Sequence, residues 1–238
     1  MFSKLKLGLQ PHDPRRVNAH VRLTPALAGA DPFMSRTPKD WALGRAWDGD
    51  VLLNDELGIC GPAAAVNWLK MMAQASRQNL LFDAADALAA YRALGYDGTP
   101  ETDNGVVLLD FMQWWTEHEI GGFKLDCFFV IGHGDPAHLA TALQIAPVIV
   151  GASLSNTCQT SDTWGSEAAA DPSMWGRHAY LYHSDSPGGG NGKSWGEPVF
   201  STPEFRNAKW RECYLPICRE LMPPGTDVLR LLNIAQSL

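Results

Sequence analysis

Along residues 62–76, Trp68, Met71, Met72 and Ala75 fall at i, i+3, i+4 and i+7, the spacing of an amphipathic helix. A second helix is predicted from about Asp83 to Leu94, closing on Gly95. A third runs from about Asn104 to Glu117, carries Val107, Leu108, Phe111, Trp114 and Trp115, and stops before Gly121-Gly122. Beyond that glycine pair the period changes. Phe123 to Ile131 reads as a strand, Asp135 to Leu143 as a short helix, and Pro147 to Ala152 as a buried strand. His178 to His183 alternates with aromatics, and Arg211 to Ile217 is another strand. Ser153 to Arg177 reads as a long polar loop, and Ser186 to Lys193 as a Gly-rich turn. A last helix spans about Thr226 to Gln236, with Thr226 and Asp227 placed to cap it. Residues 1–50, rich in Pro, Arg, Asp and Ala, show no sustained periodicity and read as an extended arm lying over the body. Helices first and strands later predicts an α+β protein: a helical part at 51–120, a β-rich part at 121–220, and a C-terminal helix at 226–236.

Composition narrows the function classes. With 45% hydrophobic and 10% aromatic residues in 238, the chain carries ample material for a core. Nineteen Lys+Arg against 26 Asp+Glu leave a net charge of −7, which argues against phosphate-tracking nucleic-acid binding and against anionic membranes. No apolar run approaches the ~20 residues of a membrane span, and the N-terminus lacks the apolar block of a secretory signal, so the expected setting is cytoplasmic or virion-associated. Five cysteines without a Cys-x-x-Cys read as free thiols rather than a disulfide or zinc framework.

One cysteine stands apart. In Asn54-Asp55-Glu56-Leu57-Gly58-Ile59-Cys60-Gly61-Pro62, the proline suits the first turn of a helix, so Cys60 sits at a helix start where the dipole favours the thiolate. Gly58 and Gly61 leave room for a substrate backbone. In Trp175-Gly176-Arg177-His178-Ala179-Tyr180, His178 opens an aromatic strand, and imidazole supplies the base and acid that a thiolate nucleophile needs. Ser194-Trp195-Gly196 follows.

With these residues in this order, the chain over about 50–217 resembles the papain-like cysteine peptidases. Gly58-Ile59-Cys60 matches the Gly-x-Cys that opens their central helix. His178-Ala179, preceded by the apolar strand Ala146 to Gly151, matches their histidine, and Ser194-Trp195-Gly196 matches most of their Asn-Ser-Trp-Gly. The resemblance implies a helical half, whose central helix starts at the Cys, packed on an antiparallel β half. It implies Cys60 as nucleophile, His178 as proton shuttle and Trp195 as a shield over the pair. Asn54 stands where the family has its oxyanion-hole glutamine. Two positions depart: Lys193 occupies the place of the orienting asparagine, leaving Asn191 or Ser194 to orient His178, and Gly61 replaces the usual tryptophan. The chain also looks like uncharacterised papain-like proteins of phages and prophages. That likeness lies in Asn54-Asp55-x-Leu57-Gly58-x-Cys60, Thr102-Asp103-Asn104-Gly105, Trp114-Trp115, Gly121-Gly122-Phe123, and Trp195-Gly196 followed by the Phe205 to Tyr214 tail.

Other motifs are set aside. Pro187 to Ser194 is one residue short of a phosphate-binding loop, and Gly196 with Pro198 argues against the helix that loop must feed. His133 and His138 flank Asp135 at a helix start, where Asp135 reads as an N-cap rather than a metal ligand. Asp162, Glu167 and Asp171 read as solvated loop residues, and no Gly-x-Ser-x-Gly elbow supports serine chemistry. The expected function is therefore a cysteine hydrolase of peptide or related amide bonds, with no cofactor and no metal. The alternative is a catalytically silent module docking on neighbouring subunits of a phage particle. Arg177 and Lys193 suggest an acidic group on the substrate. If the arm is a pro-segment, autocleavage near residues 40–50 is expected.

Overall fold

The computed structural model describes residues 5–11, 13–18, 39–42, 49–132 and 134–236. His133, residues 43–48 and most of the arm lie outside the described residues. After a short helix α1 (Pro14–Asn18) come three helices: α2 (Cys60–Ala75), α3 (Ala84–Ala93) and α4 (Leu108–Glu117). Then follow β1 (Cys127–Val130), α5 (Pro136–Ile145), β2 (Val148–Leu154), β3 (Thr163–Trp164), α6 (Ser166–Ala170) and β4 (Gly176–Tyr182). The chain ends through β5 (Gly190–Ser194), β6 (Glu197–Ser201), α7 (Pro203–Lys209), β7 (Trp210–Ile217) and α8 (Val228–Gln236). The strands form one seven-stranded sheet in the order β1-β7-β2-β4-β5-β6-β3, antiparallel except for the β3–β6 pair.

α2 is the central helix, with every residue but Lys70 and Gln74 buried. It packs on β4 and β2, and β2, Val-Ile-Val-Gly-Ala-Ser-Leu, is buried along its whole length. That is why these segments read as apolar without a polar face. α3 begins with a capping box in which Asp83 accepts from the Ala85 N–H and Asp86 reaches back to the Asp83 N–H. Gly61 is explained by packing: a Cβ there would lie 2.7 Å from Val106 Cγ2, so no tryptophan fits against the loop before α4.

Two expectations are corrected. The Gly-rich turn at 186–193 contains β5, whose glycines are required by close backbone contact: a Cβ at Gly190 would lie 1.9 Å from the Ser184 oxygen, and one at Gly192 2.5 Å from the Leu181 oxygen. The polar loop at 153–177 carries β3 and α6, with Asp171 accepting from Thr157 and Ser173. Residues 5–11 run extended between the helical and β halves: Gln10 N–H donates to the Val106 oxygen and Val106 N–H to the Gly8 oxygen on one side, while Leu9 N–H donates to the Arg177 oxygen on the other.

The arm is also tied to the β half further along. Trp41 is fully buried, its indole N–H donates to the Leu143 oxygen at 2.7 Å, and its backbone N–H donates to the His183 oxygen. Trp41→Ala is expected to lower the unfolding free energy by about 3–5 kcal/mol, the usual cost of emptying a buried tryptophan site. Urea titration followed by circular dichroism checks this, and a loss below about 1 kcal/mol would show that the arm contributes little to the core.

Candidate active site

Cys60 is the first residue of α2 and is fully buried. It faces β4, whose Ala179 N–H points at the sulfur together with the N–H groups of Gly8, Gly61 and Cys60 itself. His178, also fully buried, precedes Ala179 on β4. Its Nε2 lies 2.8 Å from Ser194 Oγ on β5. Its Nδ1 is buried without a hydrogen-bond partner among the described residues, Cys60 included. With Nε2 engaged, Nδ1 is the ring nitrogen left open to exchange a proton. Of the two residues expected to orient the imidazole, the structure therefore uses Ser194. Asn191 instead donates from its side-chain N–H to Ser184 Oγ, and its backbone oxygen accepts from the His183 N–H.

The β5–β6 turn explains the Trp-Gly. Ser194 pairs with Glu197, and the two residues between them have positive φ, 49° at Trp195 and 75° at Gly196, the type I′ geometry that suits a two-residue hairpin. This turn lays the Trp195 indole flat on the His178 ring, centroids 3.8 Å apart and planes 14° apart. Lys193, at the place of the orienting asparagine, donates from Nζ to the Gly196 oxygen at 2.7 Å, so it pins the turn. Asn54 follows two residues in the left-handed region, Leu52 (φ 53°) and Leu53 (φ 65°), a strained turn of the kind that concentrates at functional sites. Asn54 is buried beside Cys60, with its Oδ1 unpartnered among the described residues.

Burial decides the protonation states. The Cys60 thiol is pushed up to about 11 by burial, with the four N–H groups pulling the other way, and His178 is lowered to about 3 by burial alone. In this closed arrangement desolvation works against the pull of the helix end, favouring the neutral thiol and the neutral imidazole. The space left beside Cys60 is about 10 Å³, no more than one water's worth.

What closes the site is the N-terminal segment. Its even-numbered residues face the helical half, where Lys6 lies 3.7 Å from Asp103 and the Gln10 side chain donates to the Asn104 oxygen. The backbone of Gly8 touches Gly58 and Gly105. Its odd-numbered residues face the sheet, with Leu7 against Gly176 and Leu9 against Gly151. The Trp195 indole N–H donates to the Lys6 oxygen. The Gly8 carbonyl accepts from the Val106 N–H, and the Gly8 N–H is directed to the sulfur. Asp103 organises the helical wall by accepting from Gly58 N–H and Tyr91 OH, both at 2.8 Å, while the Tyr91 oxygen accepts from Gly105 N–H. Neither Asp103 as a hub nor the strap was anticipated. The available signal was the alternation Leu5, Leu7, Leu9. Beside Trp195 and Leu5 lies an open groove of about 560 Å³ whose lining includes Asp55, Asp162 and Glu197, while Lys193 Nζ donates to the Gly196 oxygen.

Solved structures of similar shape settle the architecture. Xylellain, a cysteine protease from Xylella fastidiosa, superposes with a TM-score of 0.67 at 14% identity over 90% of this chain and 96% of its own. The fold is papain-like. The Carica candamarcensis cysteine protease CMS1MS2, solved with E-64, aligns at a TM-score of 0.50 and 13% identity over 87% of this chain and 97% of its own. No protein-family model matches the chain, and no curated protein matches it significantly. Ser194 on β5 and Trp195 in the β5–β6 turn line the small space beside Cys60 at the α2 start, and both touch the His178 ring on β4. Among the described residues no group of three His, Cys, Asp or Glu side chains is placed to hold a metal ion, and no helix is long and apolar enough to cross a membrane.

Proposed function

We propose that the protein is a cysteine hydrolase of peptide or related amide bonds, held closed at rest by its own residues 5–10. The observation that carries this reading is an extended polypeptide hydrogen-bonded to both walls of a cleft directly over Cys60. A cleft that binds a backbone through Val106 and Arg177 is built for a peptide. Once the strap is displaced, the two buried groups regain water and the helix end can act on the thiol. The Cys60 proton passes to His178 Nδ1, and sulfur attacks the carbonyl carbon. The Asn54 amide and the Cys60 N–H hold the oxyanion, and His178 returns the proton to the departing amine. Water then attacks the thioester carbonyl, gives its proton to His178, and releases the acid while the sulfur recovers a proton. Ser194 keeps the ring oriented and Trp195 keeps bulk water off it.

The test is hydrolysis of a peptide library, with products read by mass spectrometry, for wild type and Cys60→Ala. Loss of all turnover in the variant, at least about 10³-fold, with an unchanged melting temperature is expected. Hydrolysis that survives Cys60→Ala sinks the reading. A second reading keeps the fold as a silent binding module, such as a virion component. What favours it is the resting site itself, dry and uncharged at both Cys60 and His178. It predicts stable association with neighbouring subunits that Cys60→Ala leaves intact.

A further inference from the structure

The cleft over Cys60 is one backbone thick. A Cβ added at Gly8 would lie 1.8 Å from the Gly58 oxygen, and one added at Gly105 would lie 1.9 Å from the Gly8 oxygen. Gly58 comes within 3.3 Å of the Gly8 Cα in the same sense, and Gly105 has φ +74°, a value its own turn reserves for glycine. The contacts are backbone to backbone, so a flexible side chain has no way to yield. The helical wall is fixed at both glycines: Asp103 holds Gly58 directly and Gly105 through Tyr91. On the opposite face, the residues before and after Gly8 lie over glycines of the sheet. Leu7 Cδ1 comes to 2.4 Å of where a Gly176 Cβ would sit, and Leu9 Cδ2 to 2.9 Å of a Gly151 Cβ. Four glycines of the body thus shape a slot, narrow over the sulfur and open on either side.

We infer that this cleft is gauged to glycine: it takes an extended peptide with glycine over the Cys60 sulfur and leucine-sized residues immediately before and after it. The chain's own Leu7-Gly8-Leu9 is one such ligand. The inference rests on the hydrolase reading for its purpose, since it names the class of peptide that the site accepts. Its physical content is binding, and it is read without turnover.

The experiment uses the full chain carrying Gly8→Val, with Gly8→Ala as the second variant, each checked first for cooperative thermal unfolding. Iodoacetamide labelling of Cys60 is followed by peptide mass spectrometry at pH 7.5. Either variant is expected to label at least about tenfold faster than wild type, because its β-carbon expels the strap from the slot. An amidated peptide of residues 5–10, added in trans at millimolar concentration, is expected to restore protection. The same peptide with alanine for its glycine is expected not to protect. Variants that label no faster than wild type overturn the inference, as do two peptides that protect alike or a pair of which neither protects. Failure of the hydrolase reading shows separately, as glycine-dependent protection in a protein that turns over no peptide.

Discussion

Replacing Asp185 with alanine lowers the unfolding free energy by about 3–5 kcal/mol, the usual cost of stripping one partner from a buried ion pair. The Asp185 carboxylate and the Arg206 guanidinium pair with side-chain exposures of only 7% and 5%. The Tyr182 hydroxyl donates to Asp185 at 2.8 Å and also accepts from Arg206, which lies over the Tyr182 and Trp210 rings. Removing the carboxylate leaves a permanently charged guanidinium in a nearly dry site. The effect reaches the candidate site through β4. His178, Tyr180 and Tyr182 share one face of that strand, Tyr182 ends in this network, and Tyr180 is held by Trp210 Nε1 at 2.7 Å and Ser201 at 3.2 Å. Urea unfolding followed by tryptophan fluorescence checks the value. The double variant Asp185→Leu with Arg206→Met is expected to recover much of the loss, because it removes both charges. A single variant that costs less than about 1 kcal/mol would mean that water reaches the pair.

His178→Gln is expected to cost about 10²–10⁴-fold in turnover under the hydrolase reading, the usual contribution of a positioned acid–base group. It is also expected to change the acid limb of the stability profile. Burial holds His178 neutral in the folded chain, down to about 3 against 6.5 for an unperturbed imidazole. Between those values the unfolded chain carries a proton that the folded chain lacks. Stability from this group is therefore complete above about pH 6.5 and lost as pH falls below it, by up to about 1.4 kcal/mol per pH unit. His183 is lowered in the same direction by burial, so only the wild-type-minus-variant difference isolates His178. Urea midpoints between pH 4.5 and 7.5 are expected to fall more steeply in wild type than in His178→Gln, and parallel curves would mean that water already reaches the ring. Cys60 acts at the other end. Raised from 9.0 to about 11, its thiol keeps its proton in the folded chain where the unfolded chain loses it, so stability declines as pH rises past about 9.

How much of this was legible in the sequence follows from the range of each signal. Helices α2, α3 and α4 show in the spacing of Trp68, Met71, Met72 and Ala75 and in the Asp83 cap. The buried strands β2 and β7 show as short apolar runs, because a helix or strand buries a side chain according to its place in a local repeat. Cys60 and His178 showed for the same reason: a helix start and the head of an aromatic strand are local facts, and they carried the papain-like resemblance. β5 stayed hidden, since Gly190 and Gly192 are chosen for the carbonyl oxygens they must approach, and those belong to the neighbouring 181–184 stretch. The choice of Ser194 over Asn191 depended on strand register, which assigns alternate residues to opposite faces of the sheet. The strap from Leu5 to Gln10 shows the alternation Leu5, Leu7, Leu9, but a stretch of six residues carries no sign of what it pairs with. Its partners, Val106 and Arg177, come from opposite halves of the fold. The charge on Cys60 was decided last and only in three dimensions. A helix end favours the thiolate from one residue away, whereas desolvation sums over every group packed around the sulfur, among them a glycine 52 positions earlier in the chain.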